Sequence, residues 1–506
     1  MDYSIREEAE CQVQVCMCGG AMMASPKPGR KVLICGAGPS GLAAAMLFAD
    51  LGWDNVVLVE RRSGPSDFEQ NKAFNYQIDP RGQRLLDQIG VSGMLGSYGV
   101  ANDRFALTVI APDGSAKQIV LPIVNPLRGT CYWMRRASLQ QMLFDAIQAR
   151  SDPRISLLYS HSFTGFVDCA DGRVAVSIEA SDGSKIELAP DLVLGCDGLS
   201  SPVRQALTLR PEVPEGQFRM IEHPSRSSGL TYKVLNLPAC FPILTEAGSP
   251  AAIDDHRMAY MIVSALKPRD EAMALAAFPV ANSYDPRSVN IVRKADHKVW
   301  KIADADKLLA FLERSFPQLD VRELVSAEQA NLFLRNEAGR FPVPQYSAQV
   351  HRALGSSPMQ VLLVGDASHA FPPDLGMGVN SALEDLERLA QRIREAPADL
   401  AAAFSAHQRE RLPESAALVR LVQTVFPEQY GHLPWRAKLW TAGFVVRKLL
   451  NLVVPFAIDK PAFLLIQEHW RSFAEIEKMK KRTDLRLRLA GTVMLVWIIW
   501  AVFARP

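Results

Sequence analysis

The residues best suited to chemistry begin with a glycine-spaced segment, Gly36-Ala37-Gly38-Pro39-Ser40-Gly41, directly after the apolar run Lys31–Cys35. Gly36 permits a tight turn, Gly38 lets the backbone approach a pyrophosphate, and Gly41 lets a helix pack closely on its strand. Pro39 and Ser40 stand where that helix opens, so its unpaired amides and partial positive charge would face phosphate oxygens. Glu60 ends a second apolar run about 24 residues beyond Gly36 and can accept from ribose hydroxyls, with Arg61 beside it. Two later segments repeat this chemistry: Asp197-Gly198 after an apolar run at 192–195, and Gly365-Asp366 after another at 361–364, leading to Pro373, Gly376, Gly378, Val379 and Asn380. A carboxylate at a strand end accepts from hydroxyls, and a glycine loop opening a helix offers amides to carbonyl or phosphate oxygens. Together they point to a dinucleotide cofactor.

Parallel strands must position these groups. Strand, turn, helix and strand within residues 31–60 form a βαβ unit, and the apolar runs are short and uninterrupted, as in sheets buried on both faces. Further strands are expected at 105–110, 155–159 and 174–178, and helices at 81–89, 139–149, 307–315 and 381–394. Pro, Gly and Ser cluster at 211–229 and 238–250, which marks a second, loopier lobe. Residues 1–29 are expected to form a flexible leader, because acids occupy the place of a signal peptide's basic segment.

The three cofactor segments, in this order, resemble those of the group A flavoprotein monooxygenases, the p-hydroxybenzoate hydroxylase fold. The resemblance implies FAD as cofactor, NADPH or NADH as reductant, O2 as co-substrate, and a flavin C4a-hydroperoxide as the oxygen donor. It also implies an α/β fold: a Rossmann-like FAD-binding domain with an inserted mixed β-sheet substrate domain, a helical C-terminal region and a membrane helix. The boundaries expected are 30–205 and 355–400 for the FAD domain, 206–354 for the substrate domain, 401–470 for the helical region, and 471–506 for a basic flank and anchor. Glu60-Arg61-Arg62, Pro80-Arg81-Gly82, Arg135-Arg136 and Tyr232-Lys233 are similar to features of the kynurenine 3-monooxygenase family. That likeness places Arg136 near the flavin, and Arg104, Tyr232 and Lys233 near the substrate, which would be L-kynurenine or a related aromatic compound. Where the family has a glutamine, the loop here reads Gly376-Met377-Gly378-Val379-Asn380. His369 is expected to order its loop rather than act as a base. An epoxidase or hydroxylase of a terpenoid or carotenoid-like lipid, and a flavin-dependent prenyl reductase, are the alternatives.

Composition limits the remaining possibilities. The 506 residues are 48% hydrophobic and 22% charged with a formal net charge of +2, an ordinary globular balance and no mark of a nucleic-acid binder. The 8 cysteines are too dispersed for a disulfide framework or a zinc knuckle, so no metal site is expected. Residues 489–504 carry no charge and follow a basic run at 478–488. As a helix they would extend about 24 Å, which predicts a short C-terminal anchor to membrane lipid, with the catalytic body on the cytoplasmic side of the mitochondrial outer membrane or endoplasmic reticulum.

Overall fold

The computed structural model describes residues 29–67, 75–102, 106–120, 125–245, 251–356, 359–425 and 434–503. Its first layer is a six-stranded sheet in the order His351–Leu354, Met359–Leu363, Leu192–Gly195, Lys31–Cys35, Asn55–Glu60, Ile155–Tyr159. Neighbours are parallel except for the His351–Leu354 edge. Val32, Leu33, Ile34, Leu192, Val193, Leu194, Val361 and Leu362 are all buried, which is why these runs show no alternation. Helices Pro39–Asp50, Arg136–Arg150 and Gly378–Glu395 cover the sheet. All three cofactor segments therefore emerge at the same, C-terminal end of adjacent parallel strands, where an open α/β sheet binds ligands.

A second layer is a seven-stranded sheet in the order Gly339–Arg340, Thr231–Leu237, Arg287–Arg293, Ala274–Ala277, Ala259–Val263, Ala106–Ile110, Ala116–Val120. It is mixed: Ala259–Val263 pairs parallel with Ala106–Ile110 and the other pairs are antiparallel. Residues 106–120, expected within the FAD domain, thus complete the sheet of the other lobe. Leu235, Leu237, Val289 and Ile291 on one face pack on helices Ala305–Ser315 and Ala327–Arg335 as a separate core. Between the layers lies a three-stranded sheet of Asn75–Ile78, Cys131–Arg135 and Val100–Asn102.

The C-terminal helices Leu400–Val425, Ala462–Ile466 and Phe473–Phe503 form a third core that includes Leu418, Leu421, Leu465, Phe473 and Ile476, with Phe371, Leu375 and Met377 of the third cofactor segment packed into it. The expected membrane helix is corrected here. Among the described residues no helix is long and apolar enough to cross a membrane. Phe473–Phe503 is one 31-residue helix whose first half is charged and docked on the body, with Glu477 paired to Arg420 at 2.6 Å. Its apolar part runs only from 489 to 503, about 22 Å, short of a hydrocarbon core of roughly 30 Å. The expected membrane-lipid partner and membrane-anchored localisation rested on a spanning helix and lose that support.

Candidate functional site

Local geometry explains each glycine of the first segment. Gly36 has φ +101°, and a Cβ there would lie 2.7 Å from the Cys196 carbonyl oxygen. A Cβ on Gly41 would lie 1.8 Å from the Gly36 carbonyl oxygen, so both glycines are required by the close approach of helix and strands. Around Gly38 nothing lies within 4 Å of a Cβ. The helix Pro39–Asp50 begins with Pro39 at its first position and has no side-chain cap, which leaves its first amides free for an anion.

Glu60 is buried, and its Oε2 accepts from the Ala37 amide at 2.8 Å, while Oε1 accepts from the amide and Nε of Arg62, both at 3.0 Å. Burial pushes the Glu60 carboxyl up, but the Arg62 and Ala37 donors outweigh it and hold it below the ordinary range. Oε2 keeps capacity for one further donor, which suits a ribose hydroxyl. Arg61 is exposed, whereas Arg62 also reaches the Ala37 carbonyl at 3.2 Å. The arginine that shapes this turn is therefore Arg62, which lies just beyond the strand's end and contacts both Glu60 and Ala37.

The second and third segments are joined to the first and to each other. Asp197 Oδ2 accepts from the Val203 amide at 2.9 Å, its Oδ1 is buried without a partner, and burial raises its carboxyl. Gly198 has φ +79° and open space at the Cβ position. Arg204, buried and not among the residues expected at the site, donates to Leu199 O at 2.7 Å and to Ala367 O at 2.5 Å, tying the second segment to the third. A Cβ on Gly365 would lie 3.2 Å from Ser40 Oγ, so the third segment also abuts the first. Asp366 is exposed among buried neighbours. Burial raises the Tyr76 hydroxyl, with Arg136 acting against the rise and Asp366 adding to it, so those two expected site residues act on one buried ring.

A buried ion network underlies the third segment. Asp385 Oδ2 accepts from the Gly365 amide at 3.0 Å and contacts His369 Nε2 at 2.8 Å, and its Oδ1 accepts from Arg411 Nε at 2.8 Å. Arg411 also pairs with Glu384 at 3.1 Å, and Glu384 with Arg81 at 2.8 Å. Arg81 continues to the Arg471 carbonyl at 2.8 Å and lies over the Phe473 ring, linking the C-terminal helix to the site. Desolvation raises the Asp385 carboxyl, yet His369 and Arg411 overcome it and hold it far below the ordinary range. Asn380 is fully buried and structural: its amide donates to Gln77 O at 2.8 Å and Gly376 O at 3.0 Å, and its Oδ1 accepts from the Asp79 amide at 3.0 Å. A Cβ on Gly82 would strike that Oδ1 at 2.5 Å. Val379 is buried on the same helix. Gly376 has φ +64°, ends the turn Pro373–Leu375, and like Gly378 has nothing within 4 Å of a Cβ.

The expected substrate residues separate. Arg104 lies outside the described residues. Lys233 donates to Phe333 O at 2.7 Å, capping the helix Ala327–Arg335, and burial lowers its ammonium. Tyr232 is on the opposite face of its strand, 5.2 Å from the Phe341 ring. That face looks across the lobes: Phe278 meets Trp133 at 5.3 Å, and Gln77 lies opposite Trp133 in the small sheet. Here buried side-chain atoms lack partners: both of the Asn75 amide, Nε2 of Gln77 and Oδ1 of Asn290. Nothing in the sequence marked them, because amides are common and only tertiary packing desolvates them.

An uncapped helix amide cluster, a ribose-ready carboxylate, an orphaned Asp197 oxygen and open glycines at 38, 198, 376 and 378 fit FAD. These features define an FAD-dependent flavoprotein with a second lobe built on its own sheet. Residues 30–279 and 320–421 match the family described as FAD binding domain. The chain is 25% identical to kynurenine 3-monooxygenase of Salinispora arenicola over 467 residues, covering 91% of this chain and 93% of that protein. It is 25% identical to the same-named protein of Stenotrophomonas maltophilia over 437 residues, 83% of each. In fold it resembles 2-methyl-3-hydroxypyridine-5-carboxylic acid oxygenase, with TM-score 0.54 and 17% identity over 78% of this chain and 90% of that one. It also resembles Pseudomonas aeruginosa PqsL in complex with 2-aminobenzoylacetate, with TM-score 0.52 and 20% identity over 79% of this chain and 96% of that one. The chain belongs to the FAD-binding-domain family and is an FAD-dependent monooxygenase of the p-hydroxybenzoate hydroxylase type.

Proposed function

We propose that this monooxygenase uses NADPH to hydroxylate an electron-rich aromatic ring, with L-kynurenine as the first candidate substrate. The observation that carries the reading is the lobe junction. There Trp133 and Phe278 offer aromatic walls, and the unpartnered atoms of Asn75, Gln77 and Asn290 offer donors and acceptors to a polar aromatic molecule. The names of the relatives support kynurenine in particular. Residues 30–205 and 355–400, less the strands at 106–120, form the FAD unit in this proposal, and 206–354 with those strands the substrate unit.

Bound FAD supplies the redox chemistry and the activation of O2. The chain's part is to bind and to shield. Gly36, Gly38, Ser40 and the first amides of the helix Pro39–Asp50 hold the pyrophosphate, Glu60 a ribose, and Asp197 and Asp366 the remaining hydroxyls. Arg136 and residues Pro373, Gly376, Gly378, Val379 and Asn380 would hold the ring system, and the two lobes would exclude water from it. The test is NADPH oxidation with product analysis, using FAD-loaded protein and L-kynurenine. Kynurenine-dependent oxidation that yields 3-hydroxykynurenine supports the reading. Oxidation that yields only peroxide makes kynurenine a mimic of the true substrate. No response from a flavin-loaded enzyme rejects kynurenine and favours a lipophilic substrate.

A further inference from the structure

The loop that borders the candidate flavin site carries a carboxylate with no role so far. Asp374 sits in the short turn Pro373–Leu375, between Gly365-Asp366 and the open glycines 376 and 378. It is only 8% exposed. Its neighbours Phe371, Leu375 and Met377 pack back into the C-terminal helical core, which anchors the turn from behind. Asp374 instead reaches the substrate lobe, where its Oδ2 accepts from the Ser227 hydroxyl. Ser227 belongs to a braced loop: the Ser225 amide donates to Ser228 Oγ at 2.8 Å, and Gln423 holds Pro224 O at 3.1 Å. Four residues later the strand Thr231–Leu237 begins, with Tyr232 on the face toward the other lobe.

The other carboxylate oxygen, Oδ1, is buried and has no hydrogen-bond partner. Among the described residues Asp374 makes no ion pair, so neither a cation nor a second donor accounts for its burial. A carboxylate held in this way at a lobe junction is an acceptor in need of a donor. Burial pushes its carboxyl up to about 6, against the pull of the Ser227 hydroxyl, which agrees with an environment that lacks compensating charge.

We propose that Asp374, held by Ser227, is a specificity-determining residue whose Oδ1 accepts a hydrogen bond from an amine or hydroxyl on the substrate's aromatic ring. The proposal rests on the aromatic-hydroxylase reading and narrows it. The substrate presents an N–H or O–H donor to this loop, and a ring that presents a carboxylate there is rejected by like charge. A donor on the ring is also what makes the ring electron-rich, so selecting for the donor selects rings that react with an electrophilic oxygen.

The experiment uses two uncharged probes that differ in one group, 2-aminoacetophenone and acetophenone, titrated into FAD-loaded enzyme with the flavin absorbance as readout. The wild type is expected to bind the amino compound roughly tenfold more tightly, the value of one good hydrogen bond. Asp374→Ala is expected to bind both equally, the loss of affinity falling on the amino compound. Asp374→Asn keeps the shape and one acceptor oxygen, guards against a folding defect, and is expected to show an intermediate preference. An undiminished preference in Asp374→Ala overturns the assignment of this residue alone. If neither ketone perturbs the flavin of the wild type, the aromatic-substrate reading itself fails and the proposal falls with it.

Discussion

Replacing Asp385 by Asn tests whether the buried network is what holds the third cofactor segment in place. In the structure this carboxylate takes three contacts: the Gly365 amide and His369 Nε2 on Oδ2, and Arg411 Nε on Oδ1. An amide of the same shape has one acceptor oxygen and one donor nitrogen. If the oxygen serves Gly365 and His369, the new NH2 faces the Arg411 guanidinium; if it serves Arg411, the NH2 faces the Gly365 amide. In either orientation a charge-assisted bond worth about 1.5–3 kcal/mol is lost. In the first orientation Arg411 is left buried with Glu384 as its charged partner and long contacts of 3.5 Å to Ser381, so the total cost there is expected at about 3–5 kcal/mol. The fraction that reaches the cofactor is the loosening of Gly365-Asp366. A conservative 1.4 kcal/mol of that corresponds to roughly tenfold weaker FAD binding.

The assay is FAD dissociation followed by recovery of flavin fluorescence, with urea unfolding measured in parallel. The sign of the pH dependence adds a second check. The folded-state carboxyl of Asp385 is depressed, so its stabilisation is fully present above the ordinary carboxylate value and is lost as the pH falls toward its lowered folded value. The stability gap between wild type and Asp385→Asn should therefore be constant from neutral pH down to about 4 and shrink below that. A variant with wild-type FAD affinity and an unchanged urea midpoint at pH 7 would refute the argument that this network positions the flavin segment.

Three other outcomes follow from the geometry. Gly38→Ala should keep the wild-type melting temperature of the apoprotein, since a Cβ there meets no protein atom, yet lose FAD in ultrafiltration; Gly36→Ala, strained at φ +101° and in contact with Cys196 O, should lose both. Glu60→Gln removes the charge that orients Arg62 and receives the ribose, and should weaken FAD binding by roughly tenfold by calorimetry. Asp374 has a raised folded carboxyl at about 6, so its contribution is favourable at low pH and is lost as the pH climbs from about 4 to 6. Asp374→Asn should therefore raise stability at pH 8 by up to about 3 kcal/mol and leave it nearly unchanged near pH 3.5, as measured by denaturant unfolding at both values.

The turns of the three candidate cofactor segments were legible in the sequence because their signals are local. A glycine needed for a turn, a proline at a helix start and a carboxylate at a strand end each act within a few residues of their own position. The order of three such segments carries the family resemblance, and it was the resemblance that implied FAD and the kind of enzyme. Which of two adjacent arginines turns back to Glu60 is decided by the bend beyond the strand's end, and it is Arg62 that does so. The terminal apolar stretch misled, because hydropathy registers the run at 489–503 but not that it continues a charged, docked helix.

By itself, then, the order of residues determined the βαβ frame and the glycine and carboxylate pattern of the three segments, since these depend on backbone conformation and short-range hydrogen bonding; the class of chemistry came with the family resemblance that those segments carry. Tertiary structure alone decided that residues 106–120 cross to the other sheet, that Arg204 bolts the second segment to the third, and that Asp385 and Arg411 sit beneath Gly365. It also decided that Asn75, Gln77, Asn290 and Asp374 become unsatisfied groups at a lobe junction. The physical reason is that desolvation and pairing belong to the closed chain. An amide or a carboxylate has no special character until residues hundreds of positions away take the water from around it.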